Sequence, residues 1–127
     1  MRRDFELGPS DTRALDALGC RWEAANLAGA LWIIIHDFPI PAGYNVVLAR
    51  VAIRVDNYPS GGIDMAYFYP PLSRSDGLQI NNLSEFQLEG LTYQQWSRHY
   101  GWNPEVDSLA THIRRVRGWL KHEFRKR

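Results

Sequence analysis

The spacing of apolar residues predicts a short helix followed by strands in the first half of the chain. Pro9 to Asp11 can start a helix, and the apolar positions after it share one side until Gly19. Residues 22–26 then favour a strand. Residues 30–36 favour a second strand, whose bulky and β-branched residues are typical of burial on both faces.

Period-two alternation predicts a third strand over residues 46–55. One face carries Val47, Ala49, Val51, Ile53 and Val55, and the other carries Arg50, Ala52 and Arg54. A turn at residues 58–62 leads to a fourth strand at residues 63–69, which Pro70-Pro71 ends. Since turns rather than helices join these strands, we expect a four-stranded antiparallel meander.

The second half shows little periodicity until its end. Residues 72–100 indicate a long irregular segment, and loops of that length are usually functional or mobile. Asn103 and Pro104 then suit the start of a helix. Its predicted core stripe is Val106, Leu109, Ile113, Val116 and Leu120. Its predicted basic side is Arg114, Arg115, Arg117, Lys121, Arg125 and Lys126. The elements together predict an α+β fold.

Composition narrows the class of protein. The chain has 127 residues, 45% of them hydrophobic and 23% charged, which fits one domain over residues 1–127. A formal charge of +1 argues against nucleic-acid binding across the whole surface. Cys20 is the single cysteine and the four histidines lack metal-ligand spacing, so we expect no disulfide, metal or cofactor. No apolar run approaches the roughly 20 residues of a membrane helix, and no secretory signal is evident, so we expect a cytoplasmic protein.

The segment from Trp96 to His99 concentrates a hydroxyl, a cation and an imidazole among aromatic residues. On an extended strand, Ser97 and His99 would point to the same side, so the imidazole could serve as a base for the hydroxyl. Such a pair requires a separation of about 2.6–3.2 Å. Alternatively, Ser97 is a turn residue and His99 a structural histidine. Thr92 and Ser84 are secondary hydroxyl candidates.

Other polar residues carry two interpretations each. His112 either orients a loop against the last helix or completes a hydrogen-bond network without a catalytic duty. Asp64 either binds Arg98 or ends the turn that precedes it. Cys20 is better explained as a small buried hydrophobe than as a nucleophile. His36, after three isoleucines, is typical of a satisfied histidine at a strand edge.

Aromatic and basic residues near the end of the chain are candidates for binding. The aromatic set is Tyr93, Trp96, Tyr100 and Trp102, which would form either a docking surface or a cover over the core. The basic side of the last helix would either attract an acidic partner or nucleic acid, or simply face solvent.

The order of elements resembles the ubiquitin-conjugating (E2/UBC) fold. The matching motifs are Tyr58-Pro59, Pro70-Pro71 and Trp102-Asn103-Pro104, each following the expected strand or opening the expected helix. Further motifs resemble the bacterial group called prokaryotic E2 family E. They are Pro41 to Tyr44, Asp64-Met65, Trp96 to His99, and Asp107-Ser108-Leu109 with Thr111-His112.

The resemblance implies a role in ubiquitin-like transfer. It implies a ubiquitin-like protein, an E1-like adenylating enzyme and a JAB-type peptidase as pathway partners. The position at which the family carries its cysteine falls near Tyr93 and Gln94, and neither is a thiol. The His-Pro-Asn element of ordinary E2 domains is also missing.

These departures leave three hypotheses. In the first, the protein accepts the carrier's C-terminus from an E1-like enzyme as an oxyester. Its catalytic candidates are Ser97, His99 and His112, and its binding candidates are Trp96, Arg98, Trp102 and Asp107. In the second, the protein is a non-catalytic adaptor for the carrier or the E1. In the third, it is an interaction module unrelated to ubiquitin transfer.

Overall fold

Helices and strands in a computed structural model, which describes residues 1–125, follow the predicted order and add two strands. The helices are α1 (Pro9–Ala17) and α2 (Leu109–His122), and a 3₁₀ turn at Glu123–Arg125 follows α2. The strands are β1 (Trp22–Leu27), β2 (Ala30–Pro39), β3 (Leu48–Arg54), β4 (Ala66–Tyr69), β5 (Leu83–Leu88) and β6 (Leu91–Trp96). No helix within the described residues is long and apolar enough to cross a membrane.

The strands form one antiparallel sheet in the order β1-β2-β3-β4-β6-β5. The predicted meander of β1 to β4 is confirmed. The prediction that residues 72–100 are irregular is wrong for residues 83–96, which form the β5–β6 hairpin. Its two-residue turn is Glu89-Gly90, and both residues have positive φ, as the turns that suit hairpin twist require. Because β5 is a mostly exposed edge strand, its polar residues hide the strand signal.

Both faces of the sheet bury apolar residues. On one face, α1 and α2 pack over Ile33, Ile35 and Phe68. The opposite face buries Trp32, Ile34 and a second set of aromatic residues that comes from the strands. The prediction that residues 30–36 are buried on both faces is confirmed.

The second face is covered because the sheet curls. Strands four places apart in a flat sheet would lie about 19 Å from each other. Yet Trp32 on β2 and Phe86 on β5 have ring centroids 5.5 Å apart, and Phe86 also lies 4.9 Å from Tyr67. Arg2, beside β1, donates two hydrogen bonds to Glu89, at 2.6 and 2.8 Å. The hairpin therefore folds back over the sheet.

Strand boundaries differ from the predicted ones where the backbone changes conformation. β3 begins at Leu48, so Val47 lies outside it and is 78% exposed, whereas the alternating residues after it are buried as predicted. β4 begins at Ala66 rather than Ile63 because Met65 has a φ of 61°. β2 continues to Pro39 past an irregularity in pairing, where Asp37 has a φ of 54°.

The predicted start of the last helix at Asn103 is wrong. Residues 104–106 form a turn that ends at Asp107, and α2 begins at Leu109. The reason is a capping box: Ser108 accepts from the Thr111 N–H, and the Thr111 hydroxyl accepts from the Ser108 N–H. Val106 is consequently 68% exposed. The remaining predicted stripe, Leu109, Ile113, Val116 and Leu120, is buried, and Lys126 lies outside the described residues.

A partly buried tyrosine joins both helices to the turn after β3. The Tyr58 hydroxyl donates to the Asp11 carboxylate on α1, with oxygens at 2.7 and 2.9 Å. It also accepts from the Leu109 N–H at 3.2 Å, at the first residue of α2. Burial raises the pKa of Tyr58 to about 12. One side chain thus satisfies a buried carboxylate and a free N–H of a helix end.

Replacing Tyr58 with Phe should therefore lower the free energy of unfolding by about 2 kcal/mol, since a buried carboxylate and an N–H lose their partner. Chemical denaturation followed by circular dichroism measures the change. Tyr69→Phe is the control, because the Tyr69 hydroxyl makes no hydrogen bond to residues 1–125 and its loss should cost less than about 0.5 kcal/mol. Equal effects of the two substitutions would contradict this role for Tyr58.

Candidate functional site

The Trp96–His99 segment begins at the last residue of β6. It continues alongside the residues that precede β4. Ala66 pairs with Trp96 in the register of β4 and β6. The Met65 N–H donates to the Arg98 carbonyl at 3.1 Å, so the pairing continues past the strand ends. The structure thereby brings residues 64–65 next to residues 97–99.

His99 hydrogen-bonds to Asp64 rather than to Ser97. Its Nδ1 lies 2.6 Å from the Asp64 Oδ2, and the two side chains are 67% and 45% exposed. Because a carboxylate only accepts, Nδ1 carries the proton and the Nε2 of a neutral ring remains an acceptor. The Ser97 hydroxyl accepts from the Gln95 amide at 3.3 Å. Among the described residues, no hydrogen bond joins Ser97 to His99.

His112 lies below this segment and is fully buried. Its Nε2 donates to the Met65 carbonyl at 2.8 Å, so Nδ1 is the acceptor for the Tyr100 hydroxyl at 2.6 Å. Burial lowers the pKa of His112 to about 4, which keeps the ring neutral. His112 therefore holds the backbone at Met65 and the loop at Tyr100, and the structure does not bring it to Ser97.

Asp107 organises the loop that leads into α2. Its carboxylate accepts from the Asn103 N–H at 2.8 Å and from Arg115 Nη2 at 2.9 Å. The Asn103 N–H is the main reason that the pKa of Asp107 lies below its usual value. The Arg115 guanidinium stacks 3.8 Å above the ring centre of Tyr100. These contacts fix the loop above the start of the helix.

The two tryptophans of the predicted site, Trp96 and Trp102, pack against the core. Trp96 is fully buried, and its Nε1 donates to the Gln94 side chain at 2.8 Å. Trp102 packs edge-on against Tyr58, with ring centroids 6.1 Å apart, and it covers Gly62. A Cβ atom at Gly62 would lie 2.8 Å from the Trp102 Cγ. The structure thus requires glycine beneath this indole.

Arg98 lies beside two open grooves, which meet at Leu83. One groove, of about 570 Å³, follows the loop of residues 72–83, and the other, of about 440 Å³, lies between Pro71 and the β5–β6 hairpin. Arg98 Nη1 donates to the Asn81 carbonyl at 3.1 Å. The Ser97 N–H donates to the Asn82 carbonyl, also at 3.1 Å. The Ser97-Arg98 pair therefore holds one wall of the first groove.

Tyr93 and Gln94, near the position at which the family resemblance would place a cysteine, have a structural role. Tyr93 is buried in the second face of the sheet. The Gln94 amide oxygen accepts from the Leu72 N–H at 3.0 Å, and its nitrogen donates to the Leu72 carbonyl at 2.8 Å. Gln94 therefore attaches the loop after β4 to β6. Nothing in the sequence pattern around Gln94 indicated this role.

The remaining candidates lie apart from the Ser97 segment or are already bonded. Three strands separate Cys20, at the start of β1, from β6, and burial raises the pKa of its thiol. The Thr92 hydroxyl accepts from Gln87 at 2.7 Å on the hairpin. His36 bonds to Glu23 at 2.5 Å. Within residues 1–125, no group of three His, Cys, Asp or Glu side chains could hold a metal ion.

These features define an α+β protein with an exposed carboxylate–imidazole pair and two surface grooves that meet at Leu83. The family model described as prokaryotic E2 family E matches residues 7–123, nearly the whole chain. The chain belongs to prokaryotic E2 family E, which indicates a role in a ubiquitin-like conjugation pathway. No curated protein and no solved structure matches the chain.

The buried His112 should make stability depend on pH. Its pKa is about 4 in the folded protein and near 6.5 when unfolded, so the unfolded chain binds the extra proton first. Folding stability should fall as pH decreases from about 6.5 to about 4, by about 3 kcal/mol at the lower limit. Denaturation midpoints across this range measure the slope. His112→Gln should remove the pH dependence that His112 contributes. Identical slopes in the unaltered protein and the variant would contradict the low pKa assigned to His112.

Gly62→Ala should displace Trp102 and lower the free energy of unfolding by about 1–3 kcal/mol, because the new methyl group overlaps the indole. Tryptophan emission should shift to longer wavelength as Trp102 becomes more exposed. Gly101→Ala provides the matched control, since nothing lies within 4 Å of a Cβ at that position. Equal stability of the two variants would rule out the proposed close packing.

Proposed function

We propose that the protein is the E2-like component of a ubiquitin-like conjugation pathway and holds the carrier's C-terminal tail without a covalent bond. The single observation that carries this proposal is that, within residues 1–125, the candidate nucleophile has no hydrogen bond to its candidate base. The Ser97 hydroxyl accepts from Gln95, whereas the imidazole of His99 is bonded to Asp64. A serine whose hydroxyl has no hydrogen bond to a base is a poor nucleophile at neutral pH.

The other candidate nucleophiles, Cys20 and Tyr100, are also poorly suited to forming a covalent bond with the carrier. Cys20 lies outside this region, and the raised pKa of its thiol disfavours the reactive thiolate. Tyr100 does bond to an imidazole, but its partner His112 is buried and holds the Met65 carbonyl with its other nitrogen. Burial also raises the pKa of Tyr100. This pair is therefore better suited to holding the loop than to transferring an acyl group.

The surface beside Ser97 suits an extended peptide. Within the described residues, β5 pairs with β6 on one side only, so its other edge offers free backbone groups. An extended tail can add to such an edge as a further strand. Residues 83–85 of β5 line the second groove, and the exposed Leu78 lines the first. Backbone pairing and apolar contacts would together bind the tail.

A second candidate function, transfer through an oxyester, is favoured by the Asp64–His99 pair. The carboxylate orients the imidazole and leaves Nε2 as a proton acceptor, an arrangement shared by many nucleophilic enzymes. In this reaction, Ser97 Oγ bonds to the carrier's carbonyl carbon as the thioester bond to the E1-like enzyme breaks. The serine proton passes through His99 Nε2 to the departing thiolate.

Mixing the protein with an E1-like enzyme, its ubiquitin-like carrier and ATP distinguishes the two functions. We expect binding of the carrier, measured by fluorescence anisotropy, without a covalent adduct on a denaturing gel. Ser97→Ala should leave the affinity unchanged, because the hydroxyl makes no bond to the tail in this proposal. An adduct that alkali cleaves and that Ser97→Ala abolishes would overturn non-covalent holding and establish the oxyester.

Leu78→Glu tests the location of the tail. A charge at this exposed groove residue should weaken carrier binding about tenfold, since it must be desolvated against the tail. Val47→Glu is the matched control, because Val47 is equally aliphatic, more exposed and outside both grooves. Equal losses in the two variants would show that the tail does not lie in the groove. Absence of carrier binding in the unaltered protein would contradict the proposed function itself.

A further inference from the structure

The two helices leave a small apolar groove between them. Ala14 and Leu18 from the α1 side and Ala110 and Ile113 from α2 line it, and its volume is about 240 Å³. The two alanines keep the groove open because they have no bulk beyond Cβ. A volume below the ~300–1,000 Å³ of small-molecule pockets suits a single inserted side chain. The groove thus has the dimensions for an apolar anchor of a protein segment.

A row of cations follows this groove along α2. Arg114, Arg117 and Lys121 are spaced three, four and seven residues apart, which places them on one face of the helix with Ala110. Arg114 and Arg117 also line the groove. Arg117 lies 5.3 Å from the ring centre of Phe38, so part of its stem covers the core. The row therefore borders the apolar floor directly.

These three cations have no acidic partner within residues 1–125. The carboxylates of the neighbouring helices and loop are engaged elsewhere: Asp11 bonds to Tyr58, Asp16 to Trp22 Nε1 at 2.9 Å, and Asp107 to Arg115. None of the ion pairs among the described residues involves Arg114, Arg117 or Lys121. The face consequently carries uncompensated positive charge beside an unfilled apolar groove.

We propose that the groove between α1 and α2 docks an acidic amphipathic segment of a partner protein. A bulky apolar side chain of that segment fills the groove, and carboxylates on either side of it pair with Arg114 and Lys121. The combination favours a protein over nucleic acid, because the floor is apolar and the whole chain carries a formal charge of only +1. This inference is independent of the proposed tail binding, which uses β5 and the grooves at Leu83.

A synthetic helical peptide of about four turns, with leucine on one face and glutamate beside it, is the probe. We expect it to bind the full chain in anisotropy measurements, with an affinity that falls as salt concentration rises. A peptide with lysine in place of glutamate should not bind. Cys20 provides a second signal from the unaltered protein, because its Sγ lies 3.8 Å from the Leu18 carbonyl, beside the groove. Bound peptide should slow alkylation of this single cysteine.

Matched variants separate charge from packing. Arg114→Glu should weaken peptide binding about tenfold, whereas Arg13→Glu makes the same change in net charge outside the groove lining and should have a much smaller effect. Ala110→Leu should fill the groove and also weaken binding about tenfold. Its control is Ala17→Leu, at an exposed alanine of α1 that does not line the groove.

Three results would overturn the proposal. The first is no binding of the acidic peptide to the folded protein. The second is an equal loss of affinity in Arg114→Glu and Arg13→Glu with unchanged Cys20 alkylation, which would indicate non-specific attraction. The third is binding of a single-stranded oligonucleotide more tightly than the peptide, with that binding lost in Arg114→Glu. Such a result would make the face a nucleic-acid surface.

Discussion

The antiparallel pairing of β4 with β6 is the constraint on which the candidate site depends. The register places Ala66 opposite Trp96, so the residues just before β4 meet those just after β6. The Met65 N–H and carbonyl are then taken by Arg98 and by His112, respectively. These two hydrogen bonds hold the backbone next to Asp64, whose carboxylate lies against His99.

Both faces of the sheet are apolar, but the helices cover only one of them. Curling of the sheet explains how the other face is buried. The hairpin brings Phe86 over Trp32 and Tyr67, where a flat sheet would leave these rings in water. The Arg2–Glu89 contact joins the segment beside β1 to the hairpin turn. Burial of large aromatic side chains stabilises a fold strongly. The curled sheet therefore buries its second face without a layer of helices on that side. The hairpin is thus part of the core as well as a border of the grooves.

The polar residues of the site divide into a buried set and an exposed set. His112 and Asp107 have their hydrogen-bonding groups directed at the backbone and at neighbouring side chains, so they set the shape of the loop. Asp64 and His99 remain exposed and can meet a partner. The buried residues therefore fix the loop, whereas the exposed pair is accessible from solvent. The groove proposed for an acidic segment lies between the two helices and shares no lining residue with the grooves at Leu83.

Sequence patterns alone predicted the first helix, the four-stranded meander, the stripe from Leu109 to Leu120, and the family. These follow from local periodicity and from motifs with fixed spacing. Sequence patterns could not indicate that His99 bonds to Asp64, because the two residues are 35 positions apart in the chain and only the register of the sheet brings them together. They also placed the helix start too early, since Pro104 suits a turn as well as a helix. The tertiary structure decided those points, because long-range pairing and burial, rather than local preference, fix which polar groups find each other.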